Sequence, residues 1–428
     1  MQTGLSNRRL VGVMKARLPE AGLDTVADPR RGQSWPLCAL LQTVVVGAMA
    51  GMKGLAGVES MTAEMSPRMR RLLAIDGRVP DTTMRDLLCV LDPDEVRGSL
   101  HALTRAAHRR KALDPVDLPF GVVAMDGKVT ALPSCDDQYA QRKTTEEGRL
   151  VGLLRTTTCT LVSSAAKLCI DAIPIPAPTN EMGHFEASLA SLVKTYGSLG
   201  LFKLVSYDAG ACSLDNASAV RKHGLHYLFA LKDSQPTLRA EAERLLGGLD
   251  ATRAAACSED VVGAATVRRR VYLTEEMAGF FDWEHLSTVM RVESETLDKD
   301  GKQLAHESRY FLSSLPRSAL TAARWLRVVR LHWAVENNCH NTFDTVFEED
   351  DRPWIEASPR GALVVALLRR VAYDMLALFR SVTLRSTEHR AMPWRDLLRA
   401  TYNALISTTA EQLDGLRLRA PPLIALAA

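Results

Sequence analysis

The feature that most constrains the fold of this chain is a change of periodicity near residue 120. From there to about residue 249, short runs rich in Val, Ile, Leu and Thr alternate with helical segments. This alternation predicts an α/β layer with a partly parallel sheet, because parallel strands need crossover connections that are usually helical. Two of the runs, Gly121–Asp126 and Phe202–Asp208, end in an aspartate. Since ligand sites in open α/β sheets form where strand ends meet, we expect the two carboxylates to share one site.

The pattern divides the 428 residues into three regions. Residues 1–115 are predicted to be a helical N-terminal domain, and residues 119–380 a mixed α/β domain. Within the second region, residues 250–316 break the alternation with strand-like runs and a hairpin signal at Asp300-Gly301, which predicts a β-rich insertion. Residues 381–428 are predicted to form a helical C-terminal tail.

Composition excludes several classes of protein. Hydrophobic residues make up 46% and charged residues 24% of the chain, as in soluble globular proteins. The longest apolar run, Trp35–Ala50, is too short to span a bilayer, and the N-terminus lacks the apolar stretch of a signal peptide. Eight cysteines without a C-x-x-C pair indicate a reducing compartment rather than a disulfide framework. We therefore expect a cytoplasmic protein without a membrane partner.

Charge gives a weak indication of a nucleic-acid partner. The net charge is only +3, but residues 1–115 carry 17 Lys and Arg against 12 Asp and Glu. No lysine follows Lys302, and arginine suits bidentate phosphate contacts, although a GC-rich genome would produce the same bias. The turn at Val79-Pro80 leads into an apolar helix. This pattern fits the second helix of a helix-turn-helix module and equally a small helical packing domain.

A helical block near residue 336 adds a third carboxylate. His332, Glu336, His340 and Asp344 recur every four residues, so they drift slowly around one helix face. Ionisable groups beside aromatic residues are unfavourable to bury without partners, which favours a functional site over a simple core. A zinc site on this helix is the alternative. It lacks the H-E-x-x-H spacing of metalloproteases and leaves both aspartates unexplained.

Several motifs together resemble DDE transposases of bacterial insertion sequences. The pattern R-x-H-W-x-x-E-N-x-x-H at Arg330–His340 resembles their last catalytic block. Asp126-Gly-Lys128 resembles the first block, and Ser206-Tyr-Asp208-Ala209 resembles the second. Leu228–Gln235 is similar to their strand ending in L-K-x-x-Q, and Thr179-Asn180-Glu181 is similar to an N-E pair that opens a helix before the second aspartate.

The resemblance covers roughly residues 35–380 and implies an RNase-H-like catalytic core. It implies that Asp126, Asp208 and Glu336 are the catalytic residues and hold two Mg²⁺ ions, for which Mn²⁺ can substitute. Cutting and joining of phosphodiester bonds passes through a five-coordinate phosphorus, and two such ions about 4 Å apart activate the attacking oxygen and stabilise the leaving one. A two-metal nuclease without joining activity and a catalytically idle DNA-binding descendant are the alternatives.

The same resemblance implies double-stranded DNA as the partner, namely the ends of the element and its target. We expect a homodimer in the active complex, association with the bacterial nucleoid during the reaction, and binding of the DNA ends by residues 1–115. His332 and Trp333 could both be core residues; for Trp333, stacking on an unpaired base is equally open. The predicted DNA-binding residues are Lys128, Lys232, Arg330, His332, Trp333 and Asn337.

Overall fold

The computed structural model describes residues 5–31, 35–133, 137–414 and 416. The parts of the predicted N-terminal domain and C-terminal tail at residues 1–4, 32–34, 415 and 417–428 lie outside the described residues. Within the described ranges, ten strands form one sheet that is flanked by helices. The mixed α/β class is therefore confirmed.

The sheet has parallel strands at its centre and antiparallel strands on both sides. Its order is β2–β3–β1–β5–β6–β10–β9–β8–β7, and β4 pairs with β3 beside this path. Strands β1, β5 and β6 run parallel to one another, whereas the other pairs are antiparallel. The strands are β1 (Val122–Leu132), β2 (Ala140–Thr144), β3 (Leu150–Leu161), β4 (Cys169–Pro174), β5 (Leu204–Tyr207), β6 (His226–Leu231), β7 (Ala256–Val262), β8 (Ala265–Thr274), β9 (Thr288–Leu297) and β10 (Gln303–Ser313).

Helices precede, interrupt and follow the strands. Before the sheet lie α1 (Asn7–Arg17), α2 (Leu37–Met49), α3 (Leu55–Glu64), α4 (Pro67–Arg70), α5 (Asp81–Val90) and α6 (Pro93–Arg109). Between strands lie α7 (Phe185–Tyr196), α8 (Leu214–Lys222) and α9 (Pro236–Leu246). After the sheet come α10 (Ala322–His332), α11 (Asn341–Thr345), α12 (Pro359–Leu378), α13 (Thr387–Arg390), α14 (Trp394–Ser407) and α15 (Ala410–Leu413). Two π-helical turns, Val335–His340 and Phe379–Thr383, lie between α10 and α11 and after α12.

The sheet separates two apolar cores. Alternate residues of a strand point to opposite faces, so along β1 Val123 and Met125 enter the larger core while Val122 and Ala124 enter the smaller one. Helix α10 covers the smaller core, into which it buries Trp325. The larger core contains α7 and the almost wholly buried α12, which packs against α2, α5 and α6.

This packing joins the two ends of the chain. Helix α1 contacts α14, and the helices before residue 110 share the larger core with those after residue 359. The boundaries at residues 115 and 381 stay predictions about independent units. Helix α12 packs against α2, α5 and α6 and so connects the helices before the sheet.

Several predicted elements need correction. Strand β1 does not end at Asp126 but continues to Leu132, where it pairs with β3. The β-rich segment is continuous with the main sheet, because β10 pairs with β6. Helix α7 begins at Phe185, so the Asn180–Glu181 pair lies in the turn before it. The helical block predicted near residue 336 is not one regular helix, because a π-helical turn follows α10.

The helices offer no candidate for a bilayer crossing. Among the described residues, none forms a helix that is both long and apolar enough to span a membrane.

Candidate functional site

The parallel pairing of β1 and β5 places two aspartates side by side. Ala124 pairs with Ser206, so Asp126 and Asp208, each two residues further along, lie at the same level of the sheet and on the same face. The Asp126 carboxylate accepts a hydrogen bond from the backbone N–H of Gly127 at 3.0 Å. Asp208 directly follows β5 and accepts from the backbone N–H of Gly210 at 2.9 Å. Both carboxylates are half-buried.

The third predicted carboxylate, Glu336, is carried by the π-helical turn Val335–His340. This turn packs against β1 and β3 and buries Val335 and Cys339, while Glu336 remains exposed. The sequence suggested an α-helix with His332, Glu336, His340 and Asp344 on one face, but the hydrogen bonds of this turn run from i to i+5. Such turns are frequent at functional sites. In the same turn, His340 places Nδ1 at 3.3 Å from Asp126 Oδ2.

The electrostatics link the three carboxylates. Burial raises the pKa of Glu336, and the negative charges of Asp126 and Asp208 raise it further, against the opposing effects of His340 and Arg309. In the described ranges, no Lys or Arg nitrogen lies within 4.0 Å of any of the three carboxylates. Since clustered negative charge without a counter-ion is unfavourable, this set of hard oxygen donors suits a divalent cation such as Mg²⁺.

A second group of ligand atoms lies elsewhere. Among the described residues, the group of His, Cys, Asp or Glu atoms lying within 4.8 Å of one another consists of Glu293, Glu295 and His306 on β9 and β10. Both glutamates form ion pairs with Arg270, at 3.2 and 3.0 Å, so their charge is already compensated. This group could hold a metal ion, but its charge is compensated by arginine. Among the described residues, the ligand atoms of Asp126, Asp208 and Glu336 do not all approach one another within 4.8 Å, and Asp126 has His340 beside it, but none of the three pairs with arginine.

Two cavities of about 420 Å³ each meet at Glu336. Trp333 and Arg309 border both, and the Arg309 guanidinium carbon lies 4.8 Å from the centre of the Trp333 ring. The first cavity adds Arg269, Arg330 and Asn337. The second adds Asp208, Lys232, Arg239 and His332. The two cavities together form a cleft with cationic walls beside two of the carboxylates; we call it the Trp333 cleft.

Five of the six predicted DNA-binding residues therefore lie along this cleft, although not all are equally accessible. Lys232 and Asn337 are exposed, and Trp333 is half-buried with its ring edge-on to Phe311. Arg330 forms an ion pair with Asp260 at 2.8 Å.

His332 faces the protein interior instead. It is only 4% exposed, and its Nδ1 lies 3.2 Å from Ser206 Oγ. Burial lowers its pKa even though Asp126 and Asp208 act in the opposite sense. A neutral, buried imidazole with this partner favours the core interpretation of His332 over a DNA contact.

Lys128 is the sixth predicted DNA contact, and its surroundings favour a different role. The residue is 7% exposed, and its Nζ donates to Asp344 Oδ1 at 2.5 Å and to Asp350 Oδ1 at 3.1 Å. Burial would lower its pKa, but neighbouring carboxylates, Glu349 foremost, raise it above the ordinary value. Lys128 therefore ties β1 to the segment after the π-helical turn, and these carboxylates already compensate its charge.

Sequence reasoning missed residues that the fold brings to the site. Arg309 reaches the Trp333 cleft from β10, and Arg269 reaches it from β8. Glu181 lies beside the aspartate pair, where the hydroxyl of Tyr207 donates to its Oε1. The N-E pair at Asn180–Glu181 was the available signal for that residue. No local pattern distinguishes the two arginines from other strand residues.

Comparison with known proteins gives two similarities. The chain matches the model of no known protein family. Over 338 residues, which are 76% of this chain and 82% of the relative, it is 24% identical to "H repeat-associated putative transposase YhhI" of Escherichia coli strain K12. Over 158 residues, which are 35% of this chain and 41% of the relative, it is 30% identical to "Putative protein YbfL" of the same organism. The chain is thus transposase-like in sequence over most of its length.

Proposed function

We propose that this chain is a DNA transposase that cuts and joins phosphodiester bonds at the ends of an insertion sequence. The observation that carries the proposal is the placement of Asp126 and Asp208 on neighbouring parallel strands, with Asp208 and Glu336 both lining one cavity of the arginine-lined Trp333 cleft. The similarity to a relative with the word transposase in its name, spanning 82% of that relative, supports the same assignment.

The strand order supports an RNase-H-like catalytic core. Strands β4, β3 and β1 form an antiparallel group, and β5 and β6 continue the sheet in parallel from β1. Helix α7 connects the antiparallel group to β5. In this arrangement Asp126 lies on the central strand β1, and Asp208 follows the parallel strand β5. The two carboxylates can then contribute to one metal site, which the proposed chemistry needs.

Two Mg²⁺ ions, or Mn²⁺ in their place, would be held by the oxygens of Asp126, Asp208 and Glu336. When bound, such ions activate the attacking oxygen and stabilise the leaving oxygen of a phosphodiester. The chain itself fixes the carboxylates through strand pairing and the π-helical turn, and His340 holds one side of Asp126.

The Trp333 cleft would bind the DNA backbone next to these carboxylates. Arg269, Arg309 and Lys232 can neutralise phosphates on either side of Glu336. The half-buried Trp333 is positioned for stacking on an unpaired base, because it borders both cavities. Joining requires two element ends, so the active complex would be a homodimer.

The decisive test is strand cleavage and joining on duplexes made from the DNA that flanks the gene. With Mg²⁺ present, Asp126→Asn, Asp208→Asn and Glu336→Gln should each lose cleavage while keeping DNA affinity within about threefold. The matched control is Asp215→Asn, an exposed aspartate in the first turn of α8, which should cleave like the wild type. A triad variant that retains normal cleavage would remove that residue from the site, and cleavage without joining would favour the nuclease alternative.

A further inference from the structure

A fourth carboxylate, that of Glu181, is built into the aspartate pair. Glu181 lies in the turn between β4 and α7, and the hydroxyl of Tyr207, the residue before Asp208, donates to its Oε1. Gly127, the residue after Asp126, leaves room for the Glu181 carboxylate, because a Cβ at position 127 would overlap that carboxylate. Tyr207 and Gly127, which adjoin Asp208 and Asp126 in the sequence, therefore position the Glu181 side chain.

Glu181 forms no ion pair with the cationic residues nearest to it. Arg155 and Lys128 line the same cavity as Glu181, but over the part of the chain that the structure describes, Glu181 has no Lys or Arg nitrogen within 4.0 Å, and the same holds for Asp126 and Asp208. Carboxylates that lack a lysine or arginine at ion-pair distance suit a bound divalent cation.

Glu181 lies beside a different cavity from those that Glu336 borders. It borders a separate cavity of about 330 Å³ together with Gly127 and Asp208, whereas Glu336 borders only the Trp333 cleft among the cavities described. Asp208 is common to the 330 Å³ cavity and to one cavity of the cleft. The two glutamates thus border different cavities beside the aspartate pair, and Asp208 links the two.

We propose that Glu181 is a fourth ligand of the divalent-metal site and contributes an oxygen on the side of the 330 Å³ cavity. The proposal rests on the proposed function for the metal site itself. The ligand set would then be Asp126, Asp208, Glu336 and Glu181. Carboxylate oxygens of two glutamates beside an aspartate pair suit two hard cations held close together.

The test is Mn²⁺ binding to the full-length protein, measured from the electron paramagnetic resonance signal of free Mn²⁺. The wild type should bind two ions, and Glu181→Gln should weaken at least one site by about tenfold or more. Glutamine keeps an acceptor for Tyr207. Glu186→Gln, at an exposed position in the first turn of α7, is the matched control and should bind like the wild type.

Tyr207→Phe separates a ligand from a residue that only holds the turn in place. It removes the hydrogen bond to Glu181 but leaves the carboxylate, so Mn²⁺ binding should change by less than about threefold. Circular dichroism melting checks that each variant is folded. Wild-type affinity in Glu181→Gln, or equal weakening in both variants, would overturn the fourth-ligand proposal alone. Absence of Mn²⁺ binding by the wild type would overturn the proposed function as well.

Discussion

The buried ion pair between α6 and β4 makes the strongest prediction about stability. Asp171 is fully buried, and it accepts from Arg97 Nε at 3.0 Å and from Arg97 Nη2 at 2.8 Å. His101 Nε2 lies 3.0 Å from Asp171 Oδ2, and the backbone N–H of Ala172 donates to Oδ1 at 2.8 Å. Replacing Asp171 by Ala leaves the Arg97 guanidinium, itself 8% exposed, without its main counter-charge.

We expect Asp171→Ala to lower the free energy of unfolding by about 3–5 kcal/mol, the usual loss when one partner of a buried pair is removed. Summing two charge-assisted hydrogen bonds at about 1.5–3 kcal/mol each gives a similar value. The double exchange Arg97→Met with Asp171→Leu removes both charges and adds apolar volume. It should therefore lie within about 2 kcal/mol of the wild type, and be more stable than Asp171→Ala.

The stability lost in Asp171→Ala should depend on pH in a defined direction. Burial alone would raise the pKa of Asp171, but the His101 contact and the charge of Arg97 outweigh it and hold the pKa below its ordinary value. A carboxyl with a depressed folded-state pKa stabilises the protein above its unfolded pKa of about 3.9 and loses this contribution as the pH falls through the folded value. The deficit of Asp171→Ala should thus be largest near neutral pH and shrink below about pH 4.

Urea unfolding of the full-length chain, followed by far-ultraviolet circular dichroism at pH 7 and pH 3.5, measures these differences. The reasoning would be refuted if Asp171→Ala lost less than about 1 kcal/mol at pH 7. A double variant less stable than Asp171→Ala would refute it equally, because the loss could not then come from an uncompensated charge.

Three further predictions concern metal and DNA. Cleavage should stop in EDTA and return with Mg²⁺ or Mn²⁺; recovery with Zn²⁺ alone would instead favour the helix that carries His332 and His340. Arg309→Ala should weaken DNA binding and lower the salt slope in fluorescence anisotropy titrations by about one, and an unchanged slope would remove it from the DNA contacts. Lys128→Met should leave the salt slope unchanged and lower the melting temperature, since its partners are Asp344 and Asp350; a smaller slope would restore Lys128 as a phosphate contact.

The central strands and most helices could be predicted from periodicity, but the end of β1 could not. Beyond Asp126, the first two buried positions of β1 are taken by Lys128 and Thr130, whose partner Asp350 comes from more than 200 residues away. Polar residues at buried positions remove the apolar alternation by which a strand is recognised. The edge strands β2 and β7 were missed for a related reason, since both are largely exposed.

The candidate site was predictable where it follows from local motifs and parallel pairing. Asp126 and Asp208 are adjacent because β1 and β5 pair in parallel. Two apolar runs that each lead to an aspartate were enough to suggest this pairing from the sequence. The π-helical turn that carries Glu336 was not predictable, because an i→i+5 turn leaves no mark on apolar periodicity. Arg309 was missed because its position in the cleft depends on β10 joining the main sheet.

The surface that supplies the DNA affinity stays a prediction. The sequence assigned it to the cationic surplus of residues 1–115, yet several of these arginines are engaged within the protein: Arg9 donates to the Thr383 carbonyl, Arg68 pairs with Asp414, Arg70 donates to the Thr62 and Ala63 carbonyls, and Arg110 pairs with Glu20.

Two arginines of α12 are no more available. Arg369 and Arg370 are about 1% exposed, and Arg370 pairs with Glu349 at 3.0 Å. Phosphate contacts need accessible cations, because affinity comes from counterions released by exposed neutralising groups. The cleft arginines are ion-paired as well, Arg309 with Glu307 at 2.6 Å and Arg269 with Asp260 at 2.7 Å, so accessibility alone does not separate the surfaces. The Trp333 cleft is favoured because its cationic walls adjoin the carboxylates that would act on the DNA. Binding and chemistry would then share one surface, and the helices before the sheet would act chiefly by packing against α12.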